Sequence, residues 1–230
     1  MKMRFKRAIV LLSGGLDSAT VLYLAKKKGY RVACLIFDYG QHHKKEIQAA
    51  KRIAHKAKVD YYIEKIKLPW GGSTLLGKNK RIPWHRQHAI NKIPSTYVPA
   101  RNIIFLSFAL SFAEALEAEA VFIGAHSQDY SGYPDCRVQF LNAFRKAAAL
   151  GTASGVNKRG VKIIAPLIRK NKSDIIKLGI KLNVPYHLTW SCYEGASSPC
   201  GRCDSCYYRA KGFKEAGITD PIITGTYPRR

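Results

Sequence analysis

No stretch of this sequence approaches the ~20 consecutive apolar residues that a membrane-spanning helix requires. Met1 to Arg7 is basic, but the apolar run behind it, Ala8-Ile9-Val10-Leu11-Leu12, is short and stops at Ser13-Gly14-Gly15, so no secretory leader is expected. The expectation is a soluble, cytoplasmic protein with no membrane partner. Two common phosphate loops are missing as well. Neither G-x-x-x-x-G-K-[ST] nor G-x-G-x-x-G occurs, so their nucleotide sites are excluded. Acidic residues are scarce, 15 against 39 Lys and Arg, leaving a net charge of +24. Such an excess suits a polyanionic partner. The basic residues are dispersed, however, through KKK at 26–28, HHKK at 42–45, KNKR at 78–81 and RKNK at 169–172, and a solvated lysine surface accounts for them equally.

With 230 residues the chain is long enough for a substantial core, and 1–230 is expected to form one large α/β domain. Its organising stretch is Ser13-Gly14-Gly15-Leu16-Asp17-Ser18, lying between an apolar strand pattern and a helical pattern in Ala19 to Lys28. Two consecutive glycines let the backbone turn and let a ligand approach without a Cβ in the way. The amides that follow open a helix, and a helix N-terminus attracts anions, phosphate above all. Asp17 can cap the helix or face a magnesium ion carried by a nucleotide. An ordinary strand-to-helix turn is the plainer alternative.

Further along, Val32 to Phe37 and Tyr61 to Ile66 read as strands separated by a helix from about Lys44 to Lys56, giving a β-α-β-α-β order and a doubly wound parallel sheet. The turn Asp38-Tyr39-Gly40-Gln41-His42 should lie beside the phosphate loop, because ligands in open α/β sheets bind outside the carboxyl ends of strands. From Leu68 to Ser95 prolines and glycines interrupt any regular element, as in a lid or binding loop. His85 and His88 fall there without an acid or cysteine at ligand spacing. Arg101 and Asn102 lead into an apolar helix from Ile103 to Leu116, where the pair can hold a phosphate or carboxylate, or simply cap.

Ala120 to Gly124 reads as a buried strand opening onto Ala125 to Arg137. That loop is dense in hydrogen-bonding groups: Asp129, Tyr130, Ser131, Tyr133, Asp135 and Arg137. It suits recognition of a polar planar ligand, or is a hydrated turn held by Gly132 and Pro134. Phe140 to Leu150 is helical, and Val161 to Ala165 is a last strand. Lys172 opens the next helix, where it either reaches a bound phosphate as a point charge or is a plain exposed lysine.

Near the C-terminus Cys192, Cys200, Cys203 and Cys206 follow the spacing C-x7-C-x2-C-x2-C, in a segment at about 189–215. Four thiolates complete a tetrahedral zinc shell and leave no position for water, so one structural zinc per chain is expected, with a four-iron cluster as the competitor. Cys34 reads as a small core residue of its strand.

SGGLDS after a first strand resembles the PP-loop of the ATP pyrophosphatases, which split ATP between its α and β phosphates and leave AMP on a substrate oxygen. With it, FDYGQ at 37–41, YVPARN at 97–102, FLS at 105–107, SGYPDCR at 131–137, SCYEG at 191–195 and CGRCDSC at 200–206 resemble the 7-cyano-7-deazaguanine synthases over nearly the whole chain. The stretch Gly71 to Lys92, and Ala125-His126-Ser127-Gln128 before the matching loop, depart from that pattern.

The resemblance implies an ATP-dependent ligase that converts 7-carboxy-7-deazaguanine and ammonia to the nitrile. The substrate carboxylate attacks the α-phosphate, ammonia displaces AMP to give an amide, and the amide oxygen is adenylated in turn before AMP leaves. It also implies roles for residues. Leu12, Ser13, Gly14, Gly15, Leu16, Asp17, Ser18, Ala19 and Thr20 would hold ATP with its magnesium, and Lys172 and Arg101 would steady phosphates beside Asp17. Asp129, Ser131, Tyr133, Asp135 and Arg137 would hold the deazaguanine. Partners are expected to be small molecules, with no obligatory nucleic acid and a homodimer allowed. The rival is a PP-loop enzyme that modifies tRNA, which would use the basic surface. Against it, no second cysteine is left at motif spacing to serve Cys136 as a sulfur relay.

Overall fold

The computed structural model describes residues 6–76, 81–84, 93–126 and 132–222. Its sheet contains β1 (Arg7–Leu11), β2 (Arg31–Asp38), β3 (Asp60–Lys65), β4 (Ala120–Phe122) and β5 (Lys162–Ile164), all parallel, in the order β3-β2-β1-β4-β5. Helices α1 (Leu16–Lys27), α2 (Lys45–Ala57), α3 (Arg101–Ala115), α4 (Val138–Gly151), α5 (Ala153–Val156), α6 (Lys172–Lys181) and α7 (Asp204–Ala216) connect and flank it. The doubly wound parallel sheet expected from the sequence is therefore the observed fold.

A strand buried on both faces must carry apolar side chains at every position, odd residues to one layer and even residues to the other. After the exposed Arg7, β1 and the residue that follows it do this: Ala8, Val10 and Leu12 join one core cluster, with α1, α2 and α6, while Ile9 and Leu11 join the other, with α3 and α4. β2 divides in the same way, Cys34 and Ile36 against Leu35 and Phe37. Burial raises the Cys34 thiol to about 12, in keeping with a core residue.

The strand order runs outward from β1 to β3, then returns to the other side of β1 for β4 and β5. A crevice opens where the order reverses, at the carboxyl ends of β1 and β4. β4 ends two residues earlier than the apolar run suggests, and Gly124 lies against the first turn of α1. A Cβ there would be 3.3 Å from the Ser18 nitrogen.

Helix α7 was not expected from the sequence, which marks 189–215 only by its cysteines. Asp204 occupies its first turn, where an acid complements the helix dipole, and Gly217 closes it at φ 72°. Its anchor is Arg209, 2% exposed. The guanidinium donates to Asp220 through Nε at 2.6 Å and Nη2 at 2.8 Å, to the Thr189 hydroxyl at 2.8 Å and to the Tyr186 carbonyl at 3.3 Å. Arg209→Ala is expected to cost about 3–5 kcal/mol of folding stability, because Asp220 would stay buried without its counter-charge. Urea denaturation measures this, and a loss below about 1 kcal/mol would contradict it.

Candidate active site

The crevice holds a cavity of about 280 Å³, lined on one side by Leu12, Ser13, Gly15, Asp17 and Ser18 of the phosphate loop. The loop is tightly built. Gly14 has φ +85°, and a Cβ on it would lie 2.2 Å from the Glu46 carbonyl oxygen, so only glycine lets the loop seat on α2. The Ser18 hydroxyl donates to the Gly15 carbonyl at 3.1 Å and accepts from the Ser13 amide at 3.2 Å. The chain returning toward the cysteines clamps the loop from the far side, the Trp190 amide donating to the Gly14 carbonyl at 2.9 Å. Of the other residues assigned to ATP, Leu16 lines an adjoining cavity of about 140 Å³, whereas Gly14 packs on α2 and Ala19 is in the core. Thr20 is buried, its hydroxyl bonded to the Leu16 carbonyl and the Tyr186 hydroxyl, both at 2.8 Å.

Asp17, in the first turn of α1, meets Lys172, the first residue of α6. The Lys172 ammonium donates to both Asp17 carboxylate oxygens at 2.9 Å. A third contact, 2.8 Å long, joins Lys172 Nζ to His126 Nε2, and His126 is 3.6 Å from Asp17 Oδ2. Asn171 caps α6 by accepting the Asp174 amide, and Gly212 of α7 leaves room for the Lys172 stem. Burial pushes the Asp17 carboxyl up, but Lys172 and His126 outweigh it and hold the acid well below the usual carboxylate range. Asp17 is thus an acceptor-only group at the mouth of the Ser13–Ser18 loop, with a buried cation against it. Lys172 is no surface lysine, at 7% exposure. His126, on β4's outgoing turn, was missed in the sequence. Its signal was its place four residues beyond a strand that ends at the switch point.

The opposite wall comes from the turn after β2, the first turns of α2 and α3, and Tyr133 and Tyr193. Arg101 Nη1 donates to the Tyr39 hydroxyl at 3.1 Å, with the guanidinium 5.7 Å from the Tyr39 ring centre. Gln41 is locked between backbone groups and donates to Glu46 Oε1 at 3.0 Å. Burial pushes the Glu46 carboxyl up to about 7, against the pull of Arg101 and the Gln41 hydrogen bond. Glu46 escaped the sequence reading because a single acid in a helical first turn is indistinguishable there from a dipole-compensating residue.

Among the residues assigned to the second ligand, Asp129 and Ser131 lie outside the described residues, as do His85 and His88. Tyr133 lines the cavity and shares a 2.9 Å hydrogen bond with Thr96. Asp135 is buried beneath α3, where its carboxylate accepts the Asn102 amide at 2.8 Å. It therefore satisfies an amide in the first turn of α3, at the residue after Arg101. Arg137 is exposed and forms the N-cap of α4. Cys136 lines the cavity and accepts from Asn102 Nδ2 at 3.1 Å.

The four cysteines converge. Cys192, Cys200, Cys203 and Cys206 place their Sγ atoms within 4.8 Å of one another, Cys200 and Cys206 at 4.0 Å. Tetrahedral bonds of ~2.3 Å would set the sulfurs about 3.8 Å apart, so the cluster fits one metal ion. The Cys200 and Cys203 amides point at Cys192 Sγ and Cys200 Sγ, 3.3 and 3.4 Å away, as donors suited to thiolates.

The family model for "Queuosine biosynthesis protein QueC" matches residues 7–217. A 7-cyano-7-deazaguanine synthase from Acetivibrio thermocellus is 54% identical over 218 residues, 94% of this chain and 97% of that protein. One from Thermoplasma volcanium is 51% identical over 224 residues, 97% and 92% of the two chains. Among solved structures, NMN synthetase from Francisella tularensis superposes with a TM-score of 0.50 at 16% identity, covering 94% of this chain and 79% of that one. That likeness is one of fold. With a phosphate loop at the switch point of the sheet and four converging cysteines, and with relatives half identical over almost their full length, the chain belongs to the QueC family.

Proposed function

We propose that the protein is an ATP-dependent carbon–nitrogen ligase that converts 7-carboxy-7-deazaguanine and ammonia to 7-cyano-7-deazaguanine through adenylated intermediates. The observation that carries the reading is the shared cavity: the Ser13–Ser18 loop with Asp17 lies on one wall, and Arg101 and Tyr133 lie on the other. A nucleotide on the loop and a planar acid on the far wall would then meet inside one enclosure. Positioning and charge neutralisation do the work, and no nucleophilic side chain is needed.

In this reading residues 12–20 hold ATP, directly or by shaping the loop. Asp17 faces the magnesium ion that accompanies the nucleotide, which would neutralise phosphate charge when bound. Lys172 and Arg101 steady the phosphates and the substrate carboxylate. Tyr133, with Asp129 and Ser131, contacts the deazaguanine, Asp135 holds Arg101 in place, and Arg137 serves at the rim. The four cysteines hold one zinc ion in a structural role. The enzyme works in the cytoplasm, alone or as a homodimer, in the supply of a queuosine or archaeosine precursor.

Pure protein with ATP, ammonium and 7-carboxy-7-deazaguanine should yield the nitrile, AMP and pyrophosphate by mass spectrometry. Adding tRNA at moderate salt should change neither rate nor tRNA mass, because binding by dispersed lysines is a phosphate effect that salt removes. A requirement for tRNA, or AMP found on an RNA base, would replace this reading with the tRNA-modifying one.

A further inference from the structure

We propose that Glu46 recognises the donor edge of the substrate base, the ring N–H beside an exocyclic amine, and so makes the enzyme selective for a guanine-type over a hypoxanthine-type acid. The inference rests on the substrate reading above and adds to it the residue that sets base preference.

Glu46 is held where such a reader must be. Its backbone carbonyl abuts Gly14, so the residue cannot withdraw without disturbing the phosphate loop. Its side chain lines the cavity. Gln41 fixes the carboxylate: Gln41 Oε1 accepts the Tyr39 amide at 2.8 Å, and Nε2 donates to the Phe37 carbonyl at 3.2 Å and to Glu46 Oε1 at 3.0 Å. Both Nε2 hydrogens are thereby used, and the orientation of the amide is determined by the backbone. The second carboxylate oxygen of Glu46 makes no hydrogen bond among the described residues and is left for the cavity.

Arg101 shares this cavity and acts on Glu46 electrostatically, yet the two form no ion pair among the described residues. The Arg101 cation and a carboxyl whose charged form burial disfavours, held apart between aromatic walls, Phe37, Tyr39, Phe105 and Tyr193, are costly until a ligand complements both. The ligand that does so is planar, with a carboxylate for Arg101 and paired N–H donors for Glu46. Deazaguanine carrying a 7-carboxylate has both. Adenine does not match, since its exocyclic amine sits beside a ring nitrogen acceptor that a carboxylate would repel. The same reasoning places the ATP base elsewhere.

A site that hydrogen-bonds a group rejects analogues without it by about 10⁴-fold where the pairing is fully buried. The test measures kcat/KM for 7-carboxy-7-deazaguanine and for its 2-desamino analogue, in wild-type protein and in Glu46→Gln. Wild-type enzyme should prefer the natural acid by about 10²-fold or more. Glu46→Gln should lose at least that factor with the natural acid and about tenfold or less with the analogue, which keeps only the ring N–H, with KM for ATP unchanged. Equal losses with both acids, a raised KM for ATP, or wild-type indifference to the 2-amino group would each overturn the proposal. The last of these needs no variant to fold. Wild-type protein inert toward 7-carboxy-7-deazaguanine would overturn the substrate reading and this inference together, whereas activity without discrimination sinks this inference alone.

Discussion

Asp17→Asn is expected to lower ATP cleavage by about 10³-fold or more while leaving the fold intact. The substitution keeps the shape of the side chain, and its amide oxygen can still accept from Lys172, so the buried ammonium keeps a partner. What disappears is the negative charge that holds both Lys172 and His126 toward the loop and that is proposed to face the nucleotide's metal ion. Pyrophosphate release measures the loss, and full turnover in the variant would sink the placement of ATP at this loop. The same carboxylate has a signature in stability. Its folded pKa lies below the unfolded value, so its contribution is fully present at neutral pH and is lost as pH falls below the ordinary carboxylate range. The stability gap between wild type and Asp17→Asn should therefore close on acidification, as thermal melts across that range would record.

The frame of the molecule was legible because it rests on local signals. Alternating double burial in β1 and β2 comes from unbroken apolar runs, and the phosphate loop from two adjacent glycines between a strand and a helix. The cysteine cluster was legible from spacing alone. What escaped was set by residues far apart in the chain. His126 becomes part of the site only because α6 brings Lys172 to it, 46 positions away. Asp135 reads in the sequence only as a polar loop residue, and the fold carries it under α3, 33 positions back, where it accepts an amide of that helix's first turn. Tyr186 gains its role from Gly179, whose missing side chain makes room for the phenol that reaches Thr20. No window of neighbouring residues contains such pairings, whereas a loop or a metal knuckle is contained in one.

Cys203→Ser should remove the bound metal and cost about 5 kcal/mol or more, because binding energy in a closed four-sulfur site is folding energy. For a chain of this size that is a fall of roughly 10–20 °C in Tm. The position magnifies the loss. Cys203 is the N-cap residue of α7 and bridges to Trp84, so freeing it loosens the helix that carries Arg209. The effect should also reach the nucleotide without any chemistry at the metal: Trp190 lies two residues before Cys192 and donates to the Gly14 carbonyl, so KM for ATP should rise more than kcat falls. Cys34→Ser is the control, a buried thiol of β2 in the other core cluster, which should cost stability without releasing metal. Elemental analysis decides the ion: one zinc per chain is expected, iron with labile sulfide would put a cluster in its place, and stable active protein without metal would remove the structural role altogether.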